Sequence, residues 1–216
     1  MNTYLSKGNK KYKIPGMRVR TFGLPAYKAR DGSLMCPGAG KCKLGCYAKQ
    51  GHYYFNNVTR AQERRLKLTR DPGLFVATIV QEVHRMKLNW VRVHDSGDFY
   101  SLEYAKLWKA VALACPQTWF LAYSKMVPML HKLMLVPGWP GNLVVVFSEG
   151  GRWDDGIHQD RDKFARIFPS LAALKRAGFT DCHITDRPAL NPKVRKIGLV
   201  YHGFESRKFV TAKESQ

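Results

Sequence analysis

Apolar positions along the chain fall into two rhythms. From residue 57 to residue 87 the rhythm is helical: TRAQERRLKLT, a break at Asp71-Pro72-Gly73, then LFVATIVQEVHRMK, which puts Phe75, Ile79, Val83 and Met86 on one face. Asp71 ahead of Pro72 predicts an N-cap with proline at the first helical position. Beyond residue 88 short apolar runs alternate with helical patterns. WVRVHDSGDF, TWFLAYS, NLVVVFSEGG, FTDCHITD and KIGLVYHG read as strands, the third a buried run without alternation. SLEYAKLWKAVALA reads as a helix capped by Ser101, MVPMLHKLML as a short helix, and RDKFARIFPSLAALKRAG as a helix pair or broken helix ending at Gly178.

Strand and helix in alternation are the signature of a parallel sheet with crossover helices. The expectation is an α/β fold in one domain over residues 1–216: a partial or distorted parallel β/α barrel, TIM-barrel-like, with an open doubly wound sheet as the rival. Residues 1–35, turn-rich and basic, read as an irregular arm or as the missing strands. Residues 36–56 form a cysteine-rich loop, 57–203 the alternating body and 204–216 a tail.

In such folds the working groups sit in loops after the strands. These exits are polar: His94-Asp95-Ser96-Gly97-Asp98, Tyr123-Ser124-Lys125, Ser148-Glu149-Gly150-Gly151, then His183, Thr185 and Asp186, and Tyr201-His202-Gly203. In a barrel they converge on one face. His94, Asp95 and Asp98 suit a metal, proton transfer or a ribose hydroxyl, and equally suit a tight turn that caps the next helix. Tyr123, Lys125 and Glu149 are further catalytic candidates by position, although each alone fits a surface or capping role.

Composition narrows the compartment. The chain has 216 residues, 45% hydrophobic and 12% aromatic, enough for a packed core. It has no apolar run long enough to span a bilayer. Its start, MNTYLSKGNKKYKIPG, lacks the apolar stretch of a secretory signal. A cytoplasmic protein with reduced thiols is expected.

Charge changes the picture further. The formal net charge is +20, and residues 1–70 hold sixteen Lys or Arg against two acids, Asp31 and Glu63. A field of that sign attracts DNA or RNA; a solvated basic surface or an anionic membrane is the alternative. Candidate phosphate contacts are Lys10, Lys11, Lys41, Lys43, Lys49, Arg60, Arg64 and Lys67, with Arg65 and Arg70 on the same helix. Aromatic residues in YAKQGHYYF (47–55) suit base stacking, or core contacts around a metal loop.

The sharpest chemistry lies in CPGAGKCKLGC. Cys36, Cys42 and Cys46 have the spacing C-x5-C-x3-C, and Gly38, Gly40 and Gly45 let the backbone fold tightly enough for several sulfurs to reach one centre. Three thiolates hold three irons of a [4Fe–4S] cluster, leaving the fourth for a distant ligand or open. Zinc with three cysteines and His52 is the alternative. Cys182 is a candidate fourth ligand or a core thiol, with His183 and His202 as other ligands; Cys115, ending an apolar helix, reads as a buried free thiol.

Several of these segments carry a resemblance. LSKGNKK at 5–11, FGLPA at 22–26, the block 36–51, VRVHDSGDFYSLEY at 91–104, FLAYSKM at 120–126 and IGLVYHG at 197–203 resemble the phage and plasmid gene product 88 family. The resemblance implies a mobile-element protein. A second cysteine cluster near the C-terminus, a feature of that family, is represented here by Cys182 alone.

A looser likeness is to radical S-adenosylmethionine enzymes, which join a three-cysteine loop to a β/α barrel and follow the next strand with a glycine-rich acidic segment. Ser96-Gly97-Asp98-Phe99 holds a comparable place, which makes Ser96 and Gly97 cofactor-binding candidates. The usual spacing there is C-x3-C-x2-C, which this loop does not share. The likeness implies a cluster in a barrel-like fold.

Three readings stand together. One is an iron–sulfur nucleic-acid-binding protein of a mobile element. Another is a cluster-dependent enzyme on nucleotides or nucleic acid, with S-adenosylmethionine as a possible cofactor, or a nuclease using His94, Asp95 and Asp98. The third is a zinc-stapled basic DNA-binding protein without catalysis.

Overall fold

The computed structural model describes residues 3–200. The exit Tyr201-His202-Gly203, with the candidate ligand His202, and the tail 204–216 lie outside the described residues.

Seven parallel strands form one sheet: β1 (Val19–Phe22), β2 (Trp90–Val93), β3 (Trp119–Ser124), β4 (Leu143–Ser148), β5 (Phe164–Phe168), β6 (Thr180–Asp181) and β7 (Lys196–Val200). The order across the sheet is β1-β2-β3-β4-β5-β7-β6, and every pairing is parallel. The sheet curls into half a barrel with β1 and β6 as its edges, so the partial β/α barrel is the observed architecture.

Five helices alternate with the strands: α1 (Asn56–Thr69), α2 (Pro72–Met86), α3 (Leu102–Ala114), α4 (Val127–Leu135) and α5 (Leu171–Arg176). The caps follow the sequence. The Asp71 side chain accepts from Leu74 N at the start of α2, and Ser101 Oγ from Tyr104 N at the start of α3. Gly178 adopts φ +72 just past α5, as its place after a helix end suggests. Among the described residues no helix is long and apolar enough to cross a membrane.

Period-two alternation divides each strand between two cores. Val91, Val93, Phe120, Ala122, Val145 and Phe147 pack against the helices in the main core. Leu121, Val146, Ala165 and Ile197 point to the concave face with Cys182 and Ala189. That face is filled by side chains rather than left as a channel.

One expectation needs correcting and two are made more specific. The segment expected as a broken helix holds β5 followed by α5: Phe164 and Phe168 turn to the helices and Ala165 to the concave face. Pro169 then separates the strand from Ser170, whose Oγ caps α5 by accepting from Ala173 N. Of the two readings of the N-terminal segment, the one that placed missing strands there holds for β1. Ser6 and Thr21 exchange backbone hydrogen bonds at 2.9 and 2.8 Å, and Leu5 and Tyr12 are buried. FTDCHITD supplies the expected strand in short form, the two-residue edge strand β6; Cys182 N still donates to Gly198 O (2.9 Å), and its side chain lies in the concave core.

Candidate functional site

The cysteine loop crosses the carboxyl ends of β2, β3 and β4. Asp98 N donates to Met35 O (3.0 Å), Arg152 N to Gly38 O (2.9 Å), and Cys42 N to Gly150 O (3.0 Å), while Ala39 bridges Gly151. Asp154 clamps the far side by accepting from Gly150 N and Gly151 N at 2.7 and 2.8 Å. Two glycines make the approach possible. A β-carbon on Gly38 would come within 2.5 Å of Lys125 O, and one on Gly40 within 2.7 Å of the Gly151 carbonyl.

Cys36, Cys42 and Cys46 are free and half-buried, and they are electrostatic neighbours. Burial, then the Asp98 carboxylate, push the Cys36 thiol up to about 12, with Cys46 and Cys42 adding to the rise. Burial also raises Cys46, opposed by Lys49 and Lys125. Three soft donors on one loop fit an iron–sulfur cluster or zinc. Among the described residues no group of three or more His, Cys, Asp or Glu is placed to hold a metal ion, so the three thiols lie on one loop without being gathered at one centre.

Cys182 does not join them. It is fully buried in the concave core, and its charged neighbours are Asp186, Lys11 and Asp181. His52 is exposed and packs its ring edge-on to Phe55. Cys115 is a buried thiol beside His84 (3.7 Å).

The exit residues are brought near the loop but face different ways. Regular alternation would send His94 to the concave face with Arg92. Instead a left-handed turn (φ +63) throws it into the helix-side core, where Nε2 meets the Tyr104 hydroxyl at 2.8 Å and the ring packs on Phe99. Burial, then the Arg92 charge, hold its pKa down to about 3. Asp95 Oδ2 accepts from Thr21 Oγ1 (2.9 Å), and its carbonyl accepts from the Tyr47 and Tyr53 hydroxyls at 2.5 and 3.2 Å.

Asp98 accepts from Ser124 Oγ (2.6 Å), Lys125 N (2.9 Å) and Phe99 N (2.7 Å). Ser96 Oγ donates to Leu24 O (2.7 Å), and Gly97, at φ +83, packs on Leu24. Lys125 Nζ donates to Ser148 O, Ser148 Oγ and Glu149 O at 2.8–2.9 Å. Glu149 takes a two-bond fork from Arg166 at 2.6 and 2.7 Å. Together these groups knit the strand exits under the cysteine loop. Tyr47 and Tyr53, candidates for base stacking, pin that loop to Asp95.

Deeper in the concave face lies a hub that the sequence left without a role. Asp186 pairs with Lys11 Nζ (2.7 Å) and Arg92 Nε (3.4 Å), and accepts from the hydroxyls of Tyr12 (3.3 Å) and Tyr123 (3.1 Å). Arg92 also lies over the Tyr123 ring, 4.1 Å from its centroid. Tyr123 was a candidate and Asp186 a strand-exit residue. Arg92 was missed, although its place between Val91 and Val93 in an alternating strand signalled a buried charge on the concave face.

The basic candidates divide. Lys11 is tied to Asp186, and Lys49 lies over the Tyr27 ring. Arg64 donates to Thr3 O (2.6 Å) and stacks on Tyr4. Arg65 is buried, bonded to Tyr4 O (2.6 Å) and Ser6 Oγ. Arg70 pairs with Asp31. Lys67 shares a surface cavity with the acids Asp31, Glu63 and Asp71. Lys10, Lys41, Lys43 and Arg60 are exposed. The helix α1 therefore offers a broken phosphate track, because folding uses most of its arginines to hold the N-terminal segment and Asp31.

The family model described as Gene product 88 matches residues 2–204. No curated protein and no solved structure matches the chain.

Proposed function

The chain belongs to the gene product 88 family, and we propose that it is an iron–sulfur enzyme in which Cys36, Cys42 and Cys46 supply three thiolates to a [4Fe–4S] cluster at the mouth of the half-barrel. One observation carries this reading. The loop that carries all three thiols is tied over the carboxyl ends of β2, β3 and β4 by backbone bonds from Asp98 to Met35, Arg152 to Gly38 and Cys42 to Gly150, where groups of a parallel barrel do their chemistry.

Two further features support it. Ser96-Gly97-Asp98 leaves β2 directly against the loop through Asp98 N and Met35 O, as the likeness to radical S-adenosylmethionine enzymes would require. Cys182 stays in the concave core, which favours a fourth iron open to a ligand. A bound cluster supplies one-electron chemistry. The chain's own part is to carry the thiols on one glycine loop, to offset part of the burial that raises the Cys46 thiol through Lys49 and Lys125, and to brace the mouth with Asp98 and Lys125. The substrate class that the +20 charge favours is a nucleotide or nucleic acid.

A second reading, a cluster protein that binds nucleic acid without catalysis, is favoured by the internal bonding of Asp98, Lys125 and Glu149, which leaves these candidates occupied.

The test is anaerobic reconstitution of the full chain, followed by metal and sulfide analysis and electron paramagnetic resonance of the reduced protein. About four iron and four sulfide per chain are expected, with loss in Cys36→Ser, Cys42→Ser and Cys46→Ser and retention in Cys182→Ser. A resonance signal altered by S-adenosylmethionine supports the enzyme; an unchanged signal supports the binding reading. Stoichiometric zinc without iron would overturn both.

A further inference from the structure

The groove along the amino end of β1 is a second functional surface. Residues 12–20 fold back beside Lys7 to leave an open cavity of about 470 Å³. Its lining holds four cations, Lys7, Lys13, Arg18 and Arg20, and no carboxylate. Lys7, Lys13 and Arg18 are exposed. Among the described residues their side chains make no hydrogen bond or ion pair, and Arg20 donates only to the neighbouring Val19 carbonyl. Between the cations the floor is apolar, with Ile14 and Met17 packed on the buried residues Tyr12, Val19 and Trp90.

We propose that this groove binds a single-stranded nucleic acid, its phosphates paired with the rim cations and its bases resting on the apolar floor. Unpaired cations on a rim without carboxylates fit a polyanion. The apolar floor then chooses among polyanions. It is partly exposed through Ile14 and Met17, within reach of a ligand that carries flat apolar groups between its charges. In a single strand the unstacked bases alternate regularly with phosphates, which matches apolar side chains lying between cations. The backbone groups of Thr21 on the outer edge of β1 are already taken by Ser6, so main-chain strand addition is not what the groove offers.

The contrast with α1 sharpens the assignment. There Lys67 and Arg70 stand among Asp31, Glu63 and Asp71, and an approaching phosphate meets carboxylates. The groove lies at the amino end of β1, and the cysteine loop crosses the carboxyl ends of β2–β4. Strand binding and cluster assembly are therefore separable.

The experiment is fluorescence anisotropy of a labelled 15-nucleotide oligothymidylate with the full chain across a salt series, in both metal-free and iron-loaded protein. Reversing Lys7, Lys13 and Arg18 together to Glu is expected to weaken binding more than tenfold and to lower the slope of log affinity against log salt by about 2. Arg60→Glu with Lys67→Glu should leave affinity within about twofold, because those cations are outside the groove. Lys7→Ala, Lys13→Ala and Arg18→Ala made singly, each expected to weaken binding several-fold, keep the test decisive if the triple reversal impairs folding. Unchanged binding in the triple variant, an equal loss in the α1 pair, or capture of phosphatidylserine vesicles or polyglutamate in preference to the oligonucleotide would overturn the proposal. Oligonucleotide binding that is intact in protein unable to take up iron would leave the groove standing and remove the cluster reading instead.

Discussion

Gly38 lies so close to the Lys125 carbonyl that a β-carbon at position 38 would sit 2.5 Å from that oxygen. The obstacle is backbone rather than a flexible side chain, so Gly38→Ala must move the cysteine loop off the exit of β3. Overpacking of this kind costs about 1–3 kcal/mol. The loop carries the proposed ligands, and the sheet beneath it is held by its own strand pairing. We expect Gly38→Ala to keep native circular dichroism and to lose at least half of its reconstituted iron. Iron analysis of the variant beside the unsubstituted chain checks this.

The thiols themselves titrate in a way that can be measured. Burial pushes Cys36 up to about 12 from an ordinary 9.0, so in metal-free protein it is a neutral thiol at pH 8. Alkylation follows the thiolate. Its rate at Cys36 should go on rising about tenfold per pH unit past 9 instead of levelling off, as read by mass spectrometry of the alkylated peptides. The same shift fixes the sign for stability. Between 9 and about 12 the folded chain holds a proton that the unfolded chain gives up, so the metal-free protein loses stability as pH rises through that window. Iron loading displaces the proton and should remove both behaviours.

How far the sequence foretold this arrangement depended on whether a signal was local. Caps were legible because Asp71 and Ser101 act within one helical turn. The loop was legible because its three cysteines lie within eleven residues. β5 was missed because FARIF, separated from LAALKR only by Pro169 and Ser170, offers the same apolar density to either rhythm, and parallel pairing with β4 and β7 decided the matter. The exit residues were placed at the correct end of the sheet, but their directions were not legible. His94 looks like a ligand until its left-handed backbone turns it among Phe99, Tyr104 and Trp108. The charge of α1 was visible and its use was not, since Arg64 and Arg65 bond to residues about sixty positions away.

Those two neighbouring positions on α1 should behave unlike a phosphate contact. Arg65 is buried, its Nε donates to Tyr4 O at 2.6 Å, and its guanidinium also reaches Ser6 Oγ. Arg65→Ala leaves those acceptors unmatched and opens space over Phe22, at a cost of about 2–3 kcal/mol. Arg60 is exposed, and Arg60→Ala should change stability by no more than about 0.5 kcal/mol. Urea denaturation separates them. Equal midpoints for the two variants would contradict the role of Arg65 as the tie between α1 and the N-terminal segment.

His94 gives the chain an acid sensitivity of known direction. Burial, with the Arg92 charge second, holds its pKa to about 3 against an ordinary 6.5. As pH falls from 6.5 toward 3 the unfolded chain takes a proton that the folded chain refuses, so this contribution to stability is lost at about 1.4 kcal/mol per pH unit. Asp95 and Asp98 work the other way, because burial raises both and the folded chain then holds protons more tightly as pH falls. Comparison with a variant isolates the histidine. His94→Asn tolerates the positive φ, removes the titrating ring and also removes its packing on Phe99. We expect it to be less stable than the unsubstituted chain at pH 7 and to lose less stability between pH 6 and pH 4, as read from urea midpoints. A parallel pair of pH profiles would mean that His94 is solvated or charged in the folded protein, contrary to its place in the helix-side core.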